Sequence, residues 1–181
     1  MPASTPHIED SRRRSVLESA LETFARVGYR GASMEAIARA ARISRPGLYF
    51  LFESKEALFR EAVSHVLSSD LAAVEATLAD DTMPFQDRLV AAFDRWAGRY
   101  VGPMVRDVPT VIADNPFLLD DVARAAPSRF ANFVEAAVCR EMTNGASVAQ
   151  TLNSVSVGLI HQVVTREEYL ERLRVAVELL T

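Results

Sequence analysis

Along nearly the whole chain, apolar residues recur three and four positions apart, the spacing of helices that bury one face. Leu17, Ala20, Leu21, Phe24 and Val27 form the first stripe, and Gly28 supplies its stop. Before it, the residues through about Pro6 carry no pattern and are expected to be disordered. Ser33 can cap a short second helix carrying Met34, Ile37, Ala38 and Ala41. Ser44 can cap a third, with Pro46 in the first turn, where its missing N–H removes no intrahelical bond, and an end near Phe52. Ser54 then caps a long helix with Leu58, Ala62, Val66, Leu67, Leu71, Val74 and Leu78, ended by Asp80-Asp81-Thr82-Met83-Pro84. Further helices are expected at about 85–101, closed by Gly102-Pro103, and at 104–114 and 117–125. Another follows at 128–143, closed by Asn144-Gly145, and one more at 147–164. Thr165-Arg166-Glu167-Glu168 has the form of a capping box and opens a last helix that runs to Leu180. No strand-like alternation bounded by turn residues competes with this reading, so the expected fold class is all-α.

Composition agrees. The 181 residues are 49% hydrophobic and 24% charged, which excludes a disordered chain, and only 7 Gly and 8 Pro interrupt the helix formers. Cys139 is the single cysteine, so no internal disulfide can form, and its apolar neighbours suggest a buried, inert thiol. The first ten residues lack the basic start and apolar run of a secretory signal, and no stretch reaches the ~18 apolar residues of a membrane span. A soluble, cytoplasmic protein without a membrane partner is expected. The net charge of -4 conceals an asymmetry: residues 11–60 hold 10 Lys+Arg against 5 Asp+Glu, whereas residues 61–181 hold 10 against 17. A basic head on an acidic body is one way to build a polyanion-binding protein, although a solvated surface can show the same imbalance.

Two short helices joined by Ala41-Arg42-Ile43 have the layout of a helix-turn-helix, whose second helix enters the DNA major groove. The surrounding residues make the pattern specific. Phe24-Ala25-Arg26-Val27-Gly28-Tyr29 ends the first helix, Ser33 leads to Ile37-Ala38, Leu48-Tyr49 lie on the third helix, and Ser54-Lys55-Glu56-Ala57-Leu58 opens the fourth. This stretch, from Ser11 to Val63, closely resembles the TetR family of transcriptional regulators. The resemblance implies an N-terminal three-helix head over residues 10–70, with the helix-turn-helix at about 33–52. It also implies a helical ligand-binding and dimerisation body over 71–181, and a homodimer on a palindromic, double-stranded DNA operator.

Carried over by position, Arg45, Pro46, Gly47, Tyr49 and Phe50 would face DNA, and Lys55 would meet a phosphate. Residue chemistry is compatible: Arg45 suits guanine O6 and N7, and Phe50 suits a thymine methyl. Ser33, Ser44, Tyr49 and Lys55 are types that contact phosphates. Arg12, Arg13 and Arg14 could form a basic arm or equally a frayed helix start, and Arg42 in the turn could contact DNA or be solvated. Two positions depart from the family pattern, which usually has a small polar residue at Gly47 and often His at Leu51. Leu48 and Phe52, one turn apart, are expected to pack the head's core.

The body is less legible. Phe93, Trp96 and Tyr100 fall at i, i+3 and i+7 of one expected helix, with Met104 beyond the Gly102-Pro103 break. Core packing is their default role; a pocket for an apolar or aromatic small-molecule effector is the competing one. Leu152, Val155, Leu159 and Val163, with Leu173 and Val177, form stripes on the last two helices that suit either the body's own core or a two-fold dimer interface. His7, His65 and His161 show no ligand spacing, and no cofactor or metal is expected. No nucleophile elbow, phosphate loop or catalytic triad order is present. The expected function is therefore a ligand-responsive DNA-binding repressor, not an enzyme. Its rivals are a helical small-molecule-binding protein that no longer reads DNA, motivated by Gly47 and Leu51, and, least supported, a helical enzyme.

Overall fold

The computed structural model describes residues 5–102 and 107–181, and all regular structure among them is helical. In chain order the helices are α1 (Thr5–Gly31), α2 (Met34–Ala40), α3 (Arg45–Leu51), α4 (Lys55–Leu78), α5 (Phe85–Trp96), α6 (Asp107–Asp114), α7 (Asp121–Glu141), α8 (Gly145–Gln162) and α9 (Arg166–Leu180). Single 3₁₀ turns occupy Gly98–Tyr100 and Pro116–Leu118. None of the described helices is long and apolar enough to cross a membrane.

Hydroxyl caps set four helix starts where the sequence placed them. Ser33, Ser44, Ser54 and Thr165 each accept a backbone N–H three residues on, at 3.0–3.2 Å. At Gly28 the φ of 72° takes the chain out of the helical region, so the expected stop is a sharp break, after which α1 resumes as far as Gly31. The helix also begins at Thr5, within the stretch expected to be disordered.

Other boundaries differ. The helix expected over 85–101 ends at Trp96, and residues 98–100 tighten into the 3₁₀ turn. Two helices expected on either side of Pro127 are one, α7. An interior proline costs ~3 kcal/mol, but Phe130, Val134 and Val138 on the same helix are buried, and such side chains contribute roughly 1.5–3 kcal/mol each. Burial outweighs the lost bond. Asn144-Gly145 does not close a helix but opens α8, which ends at Gln162. A Cβ on Gly145 would lie 2.6 Å from the Cys139 Cα, so the hairpin between α7 and α8 can close only over a residue without a side chain. Cys139 itself is exposed, not buried.

The described residues of 5–66 and 107–123 form one compact unit, and those of 67–102 and 124–181 form another. The division falls after residue 66, inside α4, and α6 belongs with the N-terminal helices. Sequence periodicity could not reveal this because the link is made by tertiary contacts. Ser64 donates to Asp120 at 2.7 Å, and Arg60 donates to the Leu118 carbonyl at 3.3 Å. The N-terminal unit packs Val16, Leu17, Ala20, Phe24, Ile37, Leu48, Phe52, Leu58 and Phe59. The second unit packs α5, α7, α8 and α9 around Leu71, Phe93, Phe130, Leu152, Tyr169 and Leu173.

Candidate nucleic-acid interface

The N-terminal unit presents α3 on its surface, with Leu48 as the helix's buried residue. Leu48 and the following Phe52 are within the core, as their spacing predicted. Arg45, Pro46, Tyr49 and Phe50 are therefore directed outward, and Phe50 is 83% exposed. A large aromatic left this open on a short helix has no role in its own domain's core. The Arg45 guanidinium lies 5.8 Å from the centre of the Tyr49 ring, so charge and ring form one patch. Gly47 is half-buried, and its N–H donates to the Ser44 hydroxyl.

The link from α2 to α3 reverses in four residues, 41–44. Ile43 donates its N–H to the Ala38 carbonyl and Arg42 donates to that of Arg39, the paired bonds of a Schellman ending. That ending needs a left-handed residue, and Arg42 supplies it at a φ of 55°. Arg42 is exposed, as are Ser33, Ser44 and Arg12. Both serine oxygens are committed to capping, which leaves each hydroxyl a proton to donate to a phosphate.

Two expected contacts have other partners. The Lys55 ammonium donates to the Tyr29 and Ala32 carbonyls at 3.0 and 3.1 Å and sits 4.5 Å from the Tyr29 ring centre. It ties the end of α1 to the start of α4. Tyr29 stacks on Phe24 and meets Phe59 edge-on, and burial, followed by the nearby Glu56 carboxylate, raises its hydroxyl's pKa. Arg13 is not a free arm: its fork grips both Glu61 oxygens at 2.5 Å, and its third nitrogen donates to the Leu51 carbonyl at 2.9 Å. Composition shows that Arg13 is basic, but only the fold shows what neutralises it.

In the second unit, Phe93 and Trp96 both meet Phe130, edge-on at 5.2 Å and stacked at 4.9 Å respectively. Tyr100 lies beyond the end of α5 and donates to Asp70 at 2.9 Å, so the three rings expected on one helix face do not share one. Met104 lies outside the described residues. Asp70 is buried and also receives Arg95 and Arg99 at 2.8 and 2.6 Å, a pairing that residue spacing does not reveal. Burial, and next the Asp70 charge, holds the Tyr100 hydroxyl well above its ordinary pKa.

The stripe expected to pair two chains is mostly interior. Leu152, Leu159, Val163, Leu173 and Val177 are buried and Val155 is half-buried, all within the second unit's core cluster. Their apolar face packs against the core of their own chain. What α8 exposes is Ser147, Gln150, Ser154, Val157 and His161, a stripe without Asp, Glu, Lys or Arg. An open groove of about 770 Å³ runs beside it, lined by Ala131 and Glu135 of α7 and by Ala146, Gln150, Asn153 and Val157 of α8.

Residues 16–62 match the model of a family described as bacterial regulatory proteins, tetR family. The HTH-type transcriptional regulator RutR of Escherichia coli K12 is 34% identical over 70 residues, which are 39% of this chain and 33% of RutR. The match thus spans about a third of that curated relative's length. In fold the likeness covers more than nine-tenths of the chain. The TetR family transcriptional regulator PfmR of Thermus thermophilus superposes with a TM-score of 0.65 at 20% identity, over 91% of this chain and 96% of that one. A transcriptional regulator of Aquifex aeolicus gives 0.70 at 17% identity, over 94% and 99%.

Proposed function

We propose that the chain is a transcriptional regulator of the TetR family, a reading supported by the match of residues 16–62 to that family's model, and that it acts as a dimeric, ligand-responsive repressor on a palindromic DNA operator, in the cytoplasm. The observation that carries the reading is the outward face of α3, where Arg45, Tyr49 and Phe50 stand clear of a helix whose other side is in the core. Arg45 reads a guanine edge, Phe50 meets a thymine methyl, and Ser33, Ser44 and Tyr49 take phosphates. Pro46 and Gly47 let the start of α3 approach the groove, and Arg12 and Arg42 add positive charge. One such head contacts few base pairs, so useful specificity requires two, spaced one helical turn apart on one side of the duplex. The uncharged stripe of α8 supports a two-fold contact between chains, because interface centres are depleted of charge.

An apolar or aromatic effector is proposed for the body. Phe93 and Trp96 both pack against Phe130, so a ligand entering beside Trp96 must displace a ring and alter the emission of the chain's only tryptophan. The function itself is tested by selecting duplexes from a random pool with the purified protein. A palindrome should emerge whose binding weakens steeply with salt. Arg45→Ala should cost about 1–3 kcal/mol on that palindrome and relax one base pair per half-site. Equal loss on palindrome and random duplex, or no enriched sequence, overturns the reading.

A further inference from the structure

We infer that Arg13, paired with Glu61, is a positioning residue that sets the recognition helix α3 from behind, an inference that rests on the reading of α3 as the helix that enters DNA. A seven-residue helix has little stability of its own, so its direction depends on what holds its two ends. Ser44 holds the first. At the other end Leu51 is the last helical residue, and Phe52 leaves in an extended conformation (φ -140°, ψ 119°). The final carbonyls of a helix lack intrahelical partners and carry its negative dipole end, where a cation is favoured.

Arg13 reaches the Leu51 carbonyl from α1, with the donor nitrogen 2.9 Å away. Its remaining edge is held bidentately by Glu61 of α4, and its guanidinium plane lies 4.4 Å from the centre of the buried Phe52 ring. One planar group thus joins three helices at the point where α3 ends. The bond to Glu61 is also the main reason that Arg13 holds its proton more firmly than a free arginine. Neither residue needs to touch DNA to determine where Arg45, Tyr49 and Phe50 point.

The sign of one substitution separates this role from a DNA-contacting arm. Removing a carboxylate from a DNA-binding head ordinarily strengthens binding, and it would also release Arg13 toward the phosphates. If Arg13 and Glu61 position α3, Glu61→Gln weakens binding instead. On a palindrome obtained by the selection proposed above, Glu61→Gln and Arg13→Lys should each lose ~10-fold in affinity, the order expected for one hydrogen bond to a charged group. Lysine keeps the charge but cannot bridge a carboxylate and a carbonyl with one planar fork. Binding to random duplex should not fall in either variant, and the double variant should be no weaker on the palindrome than either single one. The Leu51 carbonyl carbon, read by NMR in the absence of DNA, should shift in Arg13→Lys and stay in place in Arg12→Lys. Tighter or unchanged palindrome binding by Glu61→Gln, equal loss on random duplex, or an unmoved Leu51 carbonyl each overturns the proposal. If no palindrome is selected, the reading of α3 fails, while the carbonyl shift still decides whether Arg13 holds its end.

Discussion

At the scale of single residues, the turn between α2 and α3 makes a demand that its sequence does not meet without strain. Arg42 holds a φ of 55° to complete the Schellman ending. A Cβ costs about 1–2 kcal/mol there, whereas glycine avoids that cost at roughly 0.5–1 kcal/mol of added chain entropy. Arg42→Gly should therefore stabilise the protein by up to about 1 kcal/mol, which in a chain of this size raises the melting temperature by roughly 2–4 °C. Calorimetry checks it, and an unchanged or lower midpoint means that the left-handed conformation carries no strain here. The turn's position was legible from Ser44 and the two short apolar stripes. Its conformation was not, because arginine gives no sign of the backbone angle it adopts.

At the scale of elements, the caps Ser33, Ser44, Ser54 and Thr165 were legible because a hydroxyl three residues before an N–H is a local arrangement. The errors lie where a distant contact overrules a local signal, as at Pro127, or where the chain tightens without a marker, as after Trp96. The pairing of α8 with α9 shows what such contacts do. Tyr169 is fully buried, and its hydroxyl shares a 2.7 Å hydrogen bond with Ser156. Burial, only partly offset by Ser156, pushes its pKa up to about 12, whereas an unfolded tyrosine ionises near 10. Below pH ~10 both states keep the proton and the full stability is present. Between about 10 and 12 the unfolded chain releases the proton first, and stability falls by ~1.4 kcal/mol per pH unit. Tyr100, also raised, adds to the same alkaline loss. Tyr169→Phe should therefore make the alkaline slope shallower by about one proton, at a cost near neutral pH of ~1–3 kcal/mol for the Ser156 hydroxyl left without its partner. Urea titrations across the pH range give both quantities, and an unaltered slope would mean that Tyr169 ionises equally easily in the folded chain.

At the scale of the whole molecule, the exposed stripe of α8 and the buried one respond in opposite ways to substitution. Val157 is 59% exposed, so in the proposed dimer Val157→Asp should leave each chain folded while separating the two copies and lowering affinity for the proposed operator. Leu152 is fully buried, and Leu152→Ala should lower stability by about 2–5 kcal/mol whatever the oligomeric state. Light scattering at micromolar concentration separates the two. A Val157→Asp protein that is as dimeric as its parent would place the two-fold contact elsewhere.

By itself the sequence determined what depends on short range: the helical class, the capped helix starts, the helix-turn-helix and the residues offered on its outer face. These follow from spacing, hydroxyl chemistry and the fixed period of the helix, all of which lie within a few residues of one another. Tertiary structure alone decided which side of each amphipathic stripe would find a partner. Leu152 and Leu159 could equally have faced a second chain, Arg13 a phosphate and Lys55 another. Periodicity states that a face is apolar, and charge states that a side chain seeks an opposite or a carbonyl, but neither says from where in the chain the partner comes. Glu61 lies 48 residues from Arg13 and Tyr29 lies 26 from Lys55, and only folding brings each pair within hydrogen-bond reach.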